Sequence, residues 1–231
     1  MSLTYQVVTT GLKVITGLLC RVDDAQISKI PLQGPLILAV NHINILDIPT
    51  IYTRALPRRL TAFVKAEAWD SLIYRGLMSL WKGIPLHRGQ SDFAAFRQAL
   101  EMLEDGYIVA VSPEGTRSGD GHLLEAHSGV VLLALRSGVP VLPLVFYGHE
   151  HVWKKTIRLR RSDFKVVVGC PFQICAGETR VNGQVARQML NEVMYQLAAL
   201  LPPQYRGVYA DLNKASERYL SFLDENELQR A

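Results

Sequence analysis

The chain of 231 residues lacks the signatures of several protein classes. Its three cysteines, Cys20, Cys170 and Cys175, have the spacing of neither a zinc site nor a disulfide framework, so we expect a reducing compartment. No apolar run approaches the ~20 residues that cross a bilayer. The N-terminus also lacks a basic region followed by a compact apolar core. We therefore expect no cleaved signal peptide and a cytoplasmic location.

Motifs for common cofactors and nucleophiles are also missing. There is no glycine-rich nucleotide fingerprint, no cluster of metal ligands and no Gly-x-Ser-x-Gly elbow. The sequence therefore predicts no bound cofactor and no metal, and it disfavours hydrolysis. The net charge of +4, with a pI near 9.0, is mildly basic and by itself does not indicate a nucleic-acid partner. It suits an anionic substrate or an anionic bilayer surface.

Strand-like and helix-like patterns alternate along the chain. With 48% hydrophobic residues, the sequence can build a sizeable core in one domain. Strand-like runs lie at 36–41, 61–66, 83–88, 107–112, 139–147 and 164–169. Helix-like runs lie at 47–55, 69–81, 91–104, 128–137, 182–200 and 206–224. This alternation predicts an α/β fold: a single domain with a mixed, partly parallel sheet of about six or seven strands, flanked by helices.

The first predicted helix, residues 3–19, is amphipathic. Apolar side chains recur at helical spacing on one face, and the opposite face is polar with a single charge, Lys13. Two interpretations stay open: the helix packs on the core, or it lies in a membrane interface. We assign residues 1–22 to a membrane-associating amphipathic helix and residues 23–231 to the main domain.

Two further segments have residues typical of membrane interfaces. Trp69 and Trp81 bracket an apolar helix-like stretch, although a core helix is the more common role for such a pattern. Residues 153–161 hold five cations behind Trp153. A solvated loop is the default interpretation of this run, and attraction to anionic lipid headgroups is the functional alternative.

His42 and Asp47 form the first candidate catalytic pair. An apolar strand-like run precedes His42, and Ile48-Pro49 after Asp47 is typical of the first turn of a helix. The carboxylate can fold back onto one imidazole nitrogen and leave the other as a base. No Ser or Cys nucleophile lies within the motif, which suggests activation of a substrate hydroxyl. A helix cap and a locally bonded histidine are the structural alternative.

Two loops could complete a site. Ser112 to Ser118 follows a predicted strand, at the sheet edge that ligands favour, and offers Glu114, Gly115, Thr116 and Arg117. A plain turn could use the same Pro and Gly. Arg88 ends another predicted strand just before a helix, where it could hold a phosphate or form a surface ion pair.

These elements resemble, in order and spacing, the blocks of the glycerolipid acyltransferase family that includes bacterial 1-acyl-glycerol-3-phosphate acyltransferases. The family pattern has an NHxxxxD block, a block ending in Arg, a PEGTR block and a proline-containing apolar block. The matching residues are 41–47, 83–88, 113–117 and 139–144. The resemblance spans about residues 35–148, and its specificity comes from four blocks that agree in order.

The resemblance implies roles for single residues. His42 would be the general base for the acceptor hydroxyl, and Asp47 would orient it. Arg88 would bind the acceptor phosphate. Glu114, Gly115, Thr116 and Arg117 would line the acceptor site. The acyl donor would be acyl-CoA or acyl carrier protein, the acceptor a lysophospholipid, and the place of action the cytoplasmic face of a membrane, as a peripheral protein.

One departure from the family pattern leaves the acceptor open. Many relatives have a Lys-x-Gly sequence before the helix that follows PEGTR, whereas this chain has His127-Ser128-Gly129. A phosphate pocket would lose a fixed charge, which His127 replaces only when protonated. The acceptor is therefore 1-acyl-glycerol-3-phosphate or, alternatively, another lysophospholipid or a lyso-aminolipid. A non-catalytic membrane-binding module is the alternative of another class, and the His-Asp pair argues against it.

Overall fold

The structure is a computed structural model that describes residues 3–87, 92–224 and 227–228. The described residues form seven α-helices and nine strands. The helices are α1 (Leu3–Leu19), α2 (Asp47–Arg54), α3 (Leu72–Leu80), α4 (Phe93–Glu104), α5 (Gly129–Ser137), α6 (Val152–Ile157) and α7 (Gly183–Leu200). The strands are β1 (Cys20–Asp23), β2 (Leu36–Val40), β3 (Leu60–Lys65), β4 (Ile84–Leu86), β5 (Ile108–Val111), β6 (Val141–Tyr147), β7 (Ser162–Val168), β8 (Phe172–Ile174) and β9 (Leu220–Phe222).

The strands form one mixed sheet. Its main path runs β1-β7-β6-β2-β5-β3-β4, and the short strands β8 and β9 extend it from β6. Strands β6, β2, β5, β3 and β4 are parallel to their neighbours in that run, whereas β7 is antiparallel to β6. The predicted α/β class with a partly parallel sheet is confirmed. Because the five parallel strands end at the same edge, the loops that follow them meet there.

Helices cover both faces of the sheet. The side chains of β2 alternate between two apolar clusters: Ile37 packs with α4, α5 and α7, and Leu38 packs with α2 and α3. Burial on both faces explains why β2 and β5 are continuous apolar runs in the sequence. It also makes these two strands a rigid base for the loops at their carboxyl ends.

The predicted helix over 206–224 is wrong. Gly207 has φ +52, and a Cβ there would lie 2.0 Å from the carbonyl oxygen of Leu123, so the chain turns tightly against that loop. Farther on, the buried carboxylate of Glu192 accepts hydrogen bonds from the Ser216 hydroxyl and from the amides of Arg218 and Tyr219. These contacts replace the predicted helix with short 3-10 turns at Pro203–Tyr205, Gly207–Tyr209 and Leu212–Lys214, followed by β9.

Helix α1 exposes much of its apolar face. Its buried residues are the two threonines Thr9 and Thr16, and it packs on α2. The exposed large apolar side chains of α1 are those of Leu3, Val7, Val14, Ile15 and Leu18. Within the described ranges, no helix combines the length and hydrophobicity needed to cross a membrane.

Candidate functional site

The loop after β2 is fixed on one side by strand β6 and on the other by the loop that follows β5. Asn41 exchanges two hydrogen bonds with the backbone of Phe146 in β6, at 2.9 and 2.7 Å. On the other side, the amide of Ser118 donates to the His42 carbonyl at 2.9 Å, and the amide of Gly119 donates to the Ile43 carbonyl at 3.0 Å. The two motif loops are therefore held together by backbone hydrogen bonds.

His42 and Asp47 form the contact that their spacing predicts. The His42 Nδ1 lies 2.7 Å from Asp47 Oδ2. The same oxygen accepts from the amides of Ile43 at 2.6 Å and Asn44 at 3.0 Å. Asp47 is the first residue of α2, where its charge is stabilised by the helix amides. With Nδ1–H donated to Asp47, the Nε2 lone pair of His42 is the one left to accept a proton.

The structure adds a second histidine, His149, which the sequence analysis missed. Its Nε2 lies 2.5 Å from Asp47 Oδ1, its side chain is fully buried, and its ring stacks on Phe164 at 3.6 Å. Among the described residues, its Nδ1 has no hydrogen-bond partner. The proton therefore belongs on Nε2, where it is donated to Asp47.

A sequence signal for His149 does exist. The residue follows β6 by two positions, and β6 lies beside β2 in the sheet with Val40 opposite Leu144. A polar residue after the carboxyl end of a buried strand is a candidate for the same edge as His42. His149 reaches Asp47 because of the order of the strands in the sheet, which cannot be read from the sequence.

The carboxylate of Asp47 is buried between the two imidazoles. Burial by itself would raise the pKa of this group, but the hydrogen bonds from His149 and His42 lower the pKa to about 2. The carboxylate is thus ionised throughout the physiological range. Its charge can balance the imidazolium that forms when His42 acts as a base.

Glu114 supports the His42 loop from below and is itself buried. Its Oε1 accepts from the His42 amide at 3.0 Å, and its Oε2 accepts from the Leu124 amide at 2.9 Å. Burial raises the pKa of Glu114 to about 7, against the lowering effect of the two amides, and the charge of Asp47 raises it further. The side chain is not among the residues that line the neighbouring cavity.

The other predicted site residues divide between cavity and surface. Gly115 lines the cavity at φ +64, and a Cβ there would lie 3.2 Å from Cδ2 of His127. Arg117 and His127 also line the cavity, whereas Thr116 is exposed and is not among the lining residues. Arg88 lies outside the described residues.

A cavity of about 1700 Å³ opens beside His42 and Asp47. Much of its wall is apolar, with side chains from α1, α2, α3, α4 and α5, such as Leu12, Ile48, Leu77, Phe96 and Leu132. Four cations also line it: Lys65, Arg97, Arg117 and Arg136. Such a cavity can hold a long aliphatic chain together with an anionic group, next to a base. In the described part of the chain, no three His, Cys, Asp or Glu side chains group as metal ligands.

Sequence comparison matches most of the site region. The profile of the acyltransferase family matches residues 21–147, more than half of the chain. This range contains the His42 and Glu114 loops and ends two residues before His149.

Several curated acyltransferases are similar to the chain. LPAT1 of Arabidopsis thaliana, a chloroplastic 1-acyl-sn-glycerol-3-phosphate acyltransferase, is 31% identical over 71% of this chain and 44% of its own length. The 1-acyl-sn-glycerol-3-phosphate acyltransferase of Bacillus subtilis is 23% identical over 72% of this chain and 81% of its own. The chain spans less than half the length of the plant relatives that it matches.

One solved structure has a similar fold. It is the crystal structure of the 1-acyl-sn-glycerophosphate acyltransferase PlsC from Thermotoga maritima, with a TM-score of 0.64 and 24% identity. The match covers 85% of this chain and 78% of that one. With the residues brought together at the edge of the sheet and the profile match across them, the chain belongs to the acyltransferase family.

Proposed function

We propose that the protein is an O-acyltransferase that converts 1-acyl-glycerol-3-phosphate to phosphatidic acid, with acyl-CoA or acyl carrier protein as the donor. The observation that carries the proposal is the His42 imidazole, tethered through Nδ1 to a buried Asp47 and lining a large, mostly apolar cavity. Family membership and the activities for which its relatives are named support the same reaction type.

The proposed chemistry is direct transfer. The acceptor hydroxyl oxygen attacks the thioester carbonyl carbon, while His42 Nε2 takes the hydroxyl proton. The tetrahedral intermediate then collapses, the C–S bond breaks, and the imidazolium returns the proton to the thiolate. None of the three cysteines lines the cavity, which supports transfer without a covalent intermediate on a thiol.

Asp47 and His149 act in this scheme as positioning residues. Asp47 fixes the Nδ1–H tautomer of His42 and balances the imidazolium charge that forms during attack. His149 donates to the other carboxylate oxygen and so fixes the plane of that carboxylate. Glu114 performs a similar task for the backbone, because it accepts from the amide of His42 itself.

Cations in the cavity support an acceptor with a phosphate. Arg117 and Arg136 line the cavity without an ion pair among the described residues, so their charges are available to a ligand. Guanidinium groups bind phosphate through paired N–H donors. We propose Arg88, together with Arg117, for the acceptor phosphate, as the family resemblance implies.

A second acceptor class has one observation in its favour. His127, in the place where many relatives have Lys, lines the cavity beside Gly115. A neutral imidazole contributes less to phosphate binding than an ammonium group does. The alternative acceptors are therefore another lysophospholipid or a lyso-aminolipid.

We further propose that the protein acts as a peripheral protein at the cytoplasmic face of a membrane. The exposed apolar row of α1 supports this position, since it is one side of a helix whose Leu12 lines the cavity. A membrane-bound α1 would bring the cavity to the layer in which lysolipids reside.

The test is a thiol-release assay with identification of the product by mass spectrometry. Acyl-CoA and acyl carrier protein donors are each combined with lysophosphatidate, lysophosphatidylcholine or a lyso-aminolipid in mixed micelles. We expect release that depends on the acceptor, with phosphatidic acid as the main product. Thiol release without an acceptor would contradict the proposal and indicate a thioesterase. Faster transfer to another lysolipid than to lysophosphatidate would favour the second acceptor class.

A further inference from the structure

The segment from Trp153 to Arg161, called the basic tip below, exposes three large apolar side chains. It consists of most of α6 and the turn that leads into β7. Leu159 is 97% exposed, Ile157 84% and Trp153 52%. Side chains of this size, gathered within seven residues and left in solvent, are typical of an interaction surface.

The turn of the basic tip places a leucine where glycine is the favoured residue. Leu159 has φ +54, in the left-handed region that ends many helices at a glycine. Three backbone hydrogen bonds hold this turn: Arg158 and Arg160 donate to the carbonyl of Lys155, and Leu159 donates to that of Thr156. An exposed leucine in this conformation adds nothing to the core and has a backbone cost that glycine would not have.

Cations surround these apolar side chains. Lys154, Lys155, Arg158 and Arg160 form no ion pair within the described ranges. Trp153 and Leu159 therefore lie among positive charges that are free to meet an anionic surface.

Arg161 joins the basic tip to α1. Its guanidinium donates to the carbonyl oxygen of Cys20 at 2.7 Å and to that of Gly17. The carbonyls at the end of α1 are thereby capped, next to the exposed Leu18. The basic tip and the exposed face of α1 are adjacent in space.

The basic tip also lies at the edge of the sheet that carries His42. It connects the end of β6 to the start of β7, and Trp153 follows His149 by four residues. Because β2 and β6 are parallel neighbours, the loops after both strands share this edge. A surface that contacts the basic tip would therefore face the side on which the cavity opens.

We propose that the basic tip docks on an anionic bilayer. Trp153, Ile157 and Leu159 would insert between the lipid headgroups. The four cations Lys154, Lys155, Arg158 and Arg160 would bind the lipid phosphates. The inference rests on the proposed membrane association and adds a second, electrostatic contact beside α1. An acidic carrier protein would match the cations alone, whereas nearly free aliphatic side chains match a lipid layer.

The test is co-sedimentation with two kinds of vesicle: phosphatidylcholine alone, and an equimolar mixture of phosphatidylcholine and phosphatidylglycerol. Replacing Lys154, Lys155, Arg158 and Arg160 by Gln should weaken binding to the anionic vesicles by roughly 100-fold or more and leave the weak binding to neutral vesicles unchanged. Ile157→Ser with Leu159→Ser should weaken binding to anionic vesicles by roughly tenfold or more. The matched control, Leu32→Ser with Val208→Ser, changes exposed apolar residues elsewhere and should leave binding unchanged.

Leu159→Gly separates docking from folding. Glycine suits φ +54, so the variant should melt at the same or a higher temperature while it binds anionic vesicles more weakly. Wild-type binding by all tip variants would overturn the inference. A second result would also overturn it: the tip variants bind vesicles like the wild type but lose turnover when acyl carrier protein is the donor. The basic tip would then be a surface for the carrier protein.

A second assay tests catalysis separately from membrane docking. It measures turnover of a short-chain lysophosphatidate that is dissolved below its critical micelle concentration. Tip variants should retain wild-type turnover in that assay, since no bilayer is involved. If the wild type itself shows no turnover there or in micelles, the proposed acyl transfer fails, and the vesicle result still decides the docking surface.

Discussion

The chain contains two His-Asp pairs with the same spacing and the same contact geometry, and they differ in burial and in their other hydrogen-bond partners. His42 and Asp47 are joined at 2.7 Å, and His87 and Asp92 at 2.8 Å, in both cases between Nδ1 and Oδ2. Both histidines line the same cavity. The side chains of the first pair are 15% and 3% exposed, and those of the second pair 61% and 9%.

The two aspartates use their oxygens differently. Asp92 caps α4, since its Oδ1 accepts from the Ala95 amide at 3.0 Å, and its Oδ2 takes the His87 amide and ring. Asp47 accepts from two amides and from two imidazoles, inside the protein. The comparison teaches that the spacing alone creates a His-Asp pair. Burial, together with the additional donors to the carboxylate, above all His149, distinguishes an oriented base from a helix cap.

The largest expected difference between the two pairs is in kcat when each aspartate is replaced by asparagine. In Asp47→Asn, an amide nitrogen can donate to His42 Nδ1 and force the proton onto Nε2, where it blocks base catalysis. We expect kcat to fall by about 10³–10⁴-fold, as for the equivalent change in a catalytic triad. Asp92→Asn keeps the cap, because Asn caps helices about as well as Asp, and should keep kcat. Equal losses in steady-state assays of the two variants would contradict the distinction.

The next largest effect is expected when the hydrogen bond from His149 to Asp47 is removed. His149→Phe keeps a ring against Phe164 but removes the donor to Asp47, and His149→Gln keeps a donor but removes the ring stack. We expect kcat to fall by roughly 10–100-fold in the Phe variant, the cost of a hydrogen bond to a charged group. His149→Gln should retain most of the wild-type kcat, and KM should stay unchanged in both variants, because the donor orients Asp47 and does not touch the substrate. Equal losses of kcat in the two variants, as for a purely structural role, would contradict this assignment.

A smaller effect is expected at Glu114. Its pKa in the folded protein is about 7, above the ordinary value of about 4.3. Its contribution to stability is therefore complete below that ordinary value and is lost as the pH rises through 7. Glu114→Gln removes this titration, so the stability of the wild type relative to the variant should fall by on the order of 1–3 kcal/mol between pH 5 and 8. Urea unfolding at several pH values measures it, and a constant difference would refute it.

The sequence predicted the frame of the site well. The continuous apolar run of β2 predicted a buried strand, and the parallel pairing of β2 with β5 brings the His42 and Glu114 loops to one edge. His149 was missed because it lies 107 positions from His42, and only the pairing of β2 with β6 connects them. The helical pattern of 206–224 was overridden by contacts with Glu192 and Leu123. Strands β1, β8 and β9 were missed: β1 follows α1 without an intervening residue, β8 has three residues, and β9 lies within the range predicted as a helix.

The most direct test of the central claim, that His42 is the base, compares His42→Ala with His87→Ala. Values of kcat/KM for acyl transfer to lysophosphatidate are measured for both variants and the wild type, after circular dichroism has confirmed their folding. We predict a loss of about 10²–10⁴-fold for His42→Ala and of no more than about threefold for His87→Ala. A folded His42→Ala enzyme with the wild-type rate, or an equal loss in both variants, would contradict the assignment of His42 as the base.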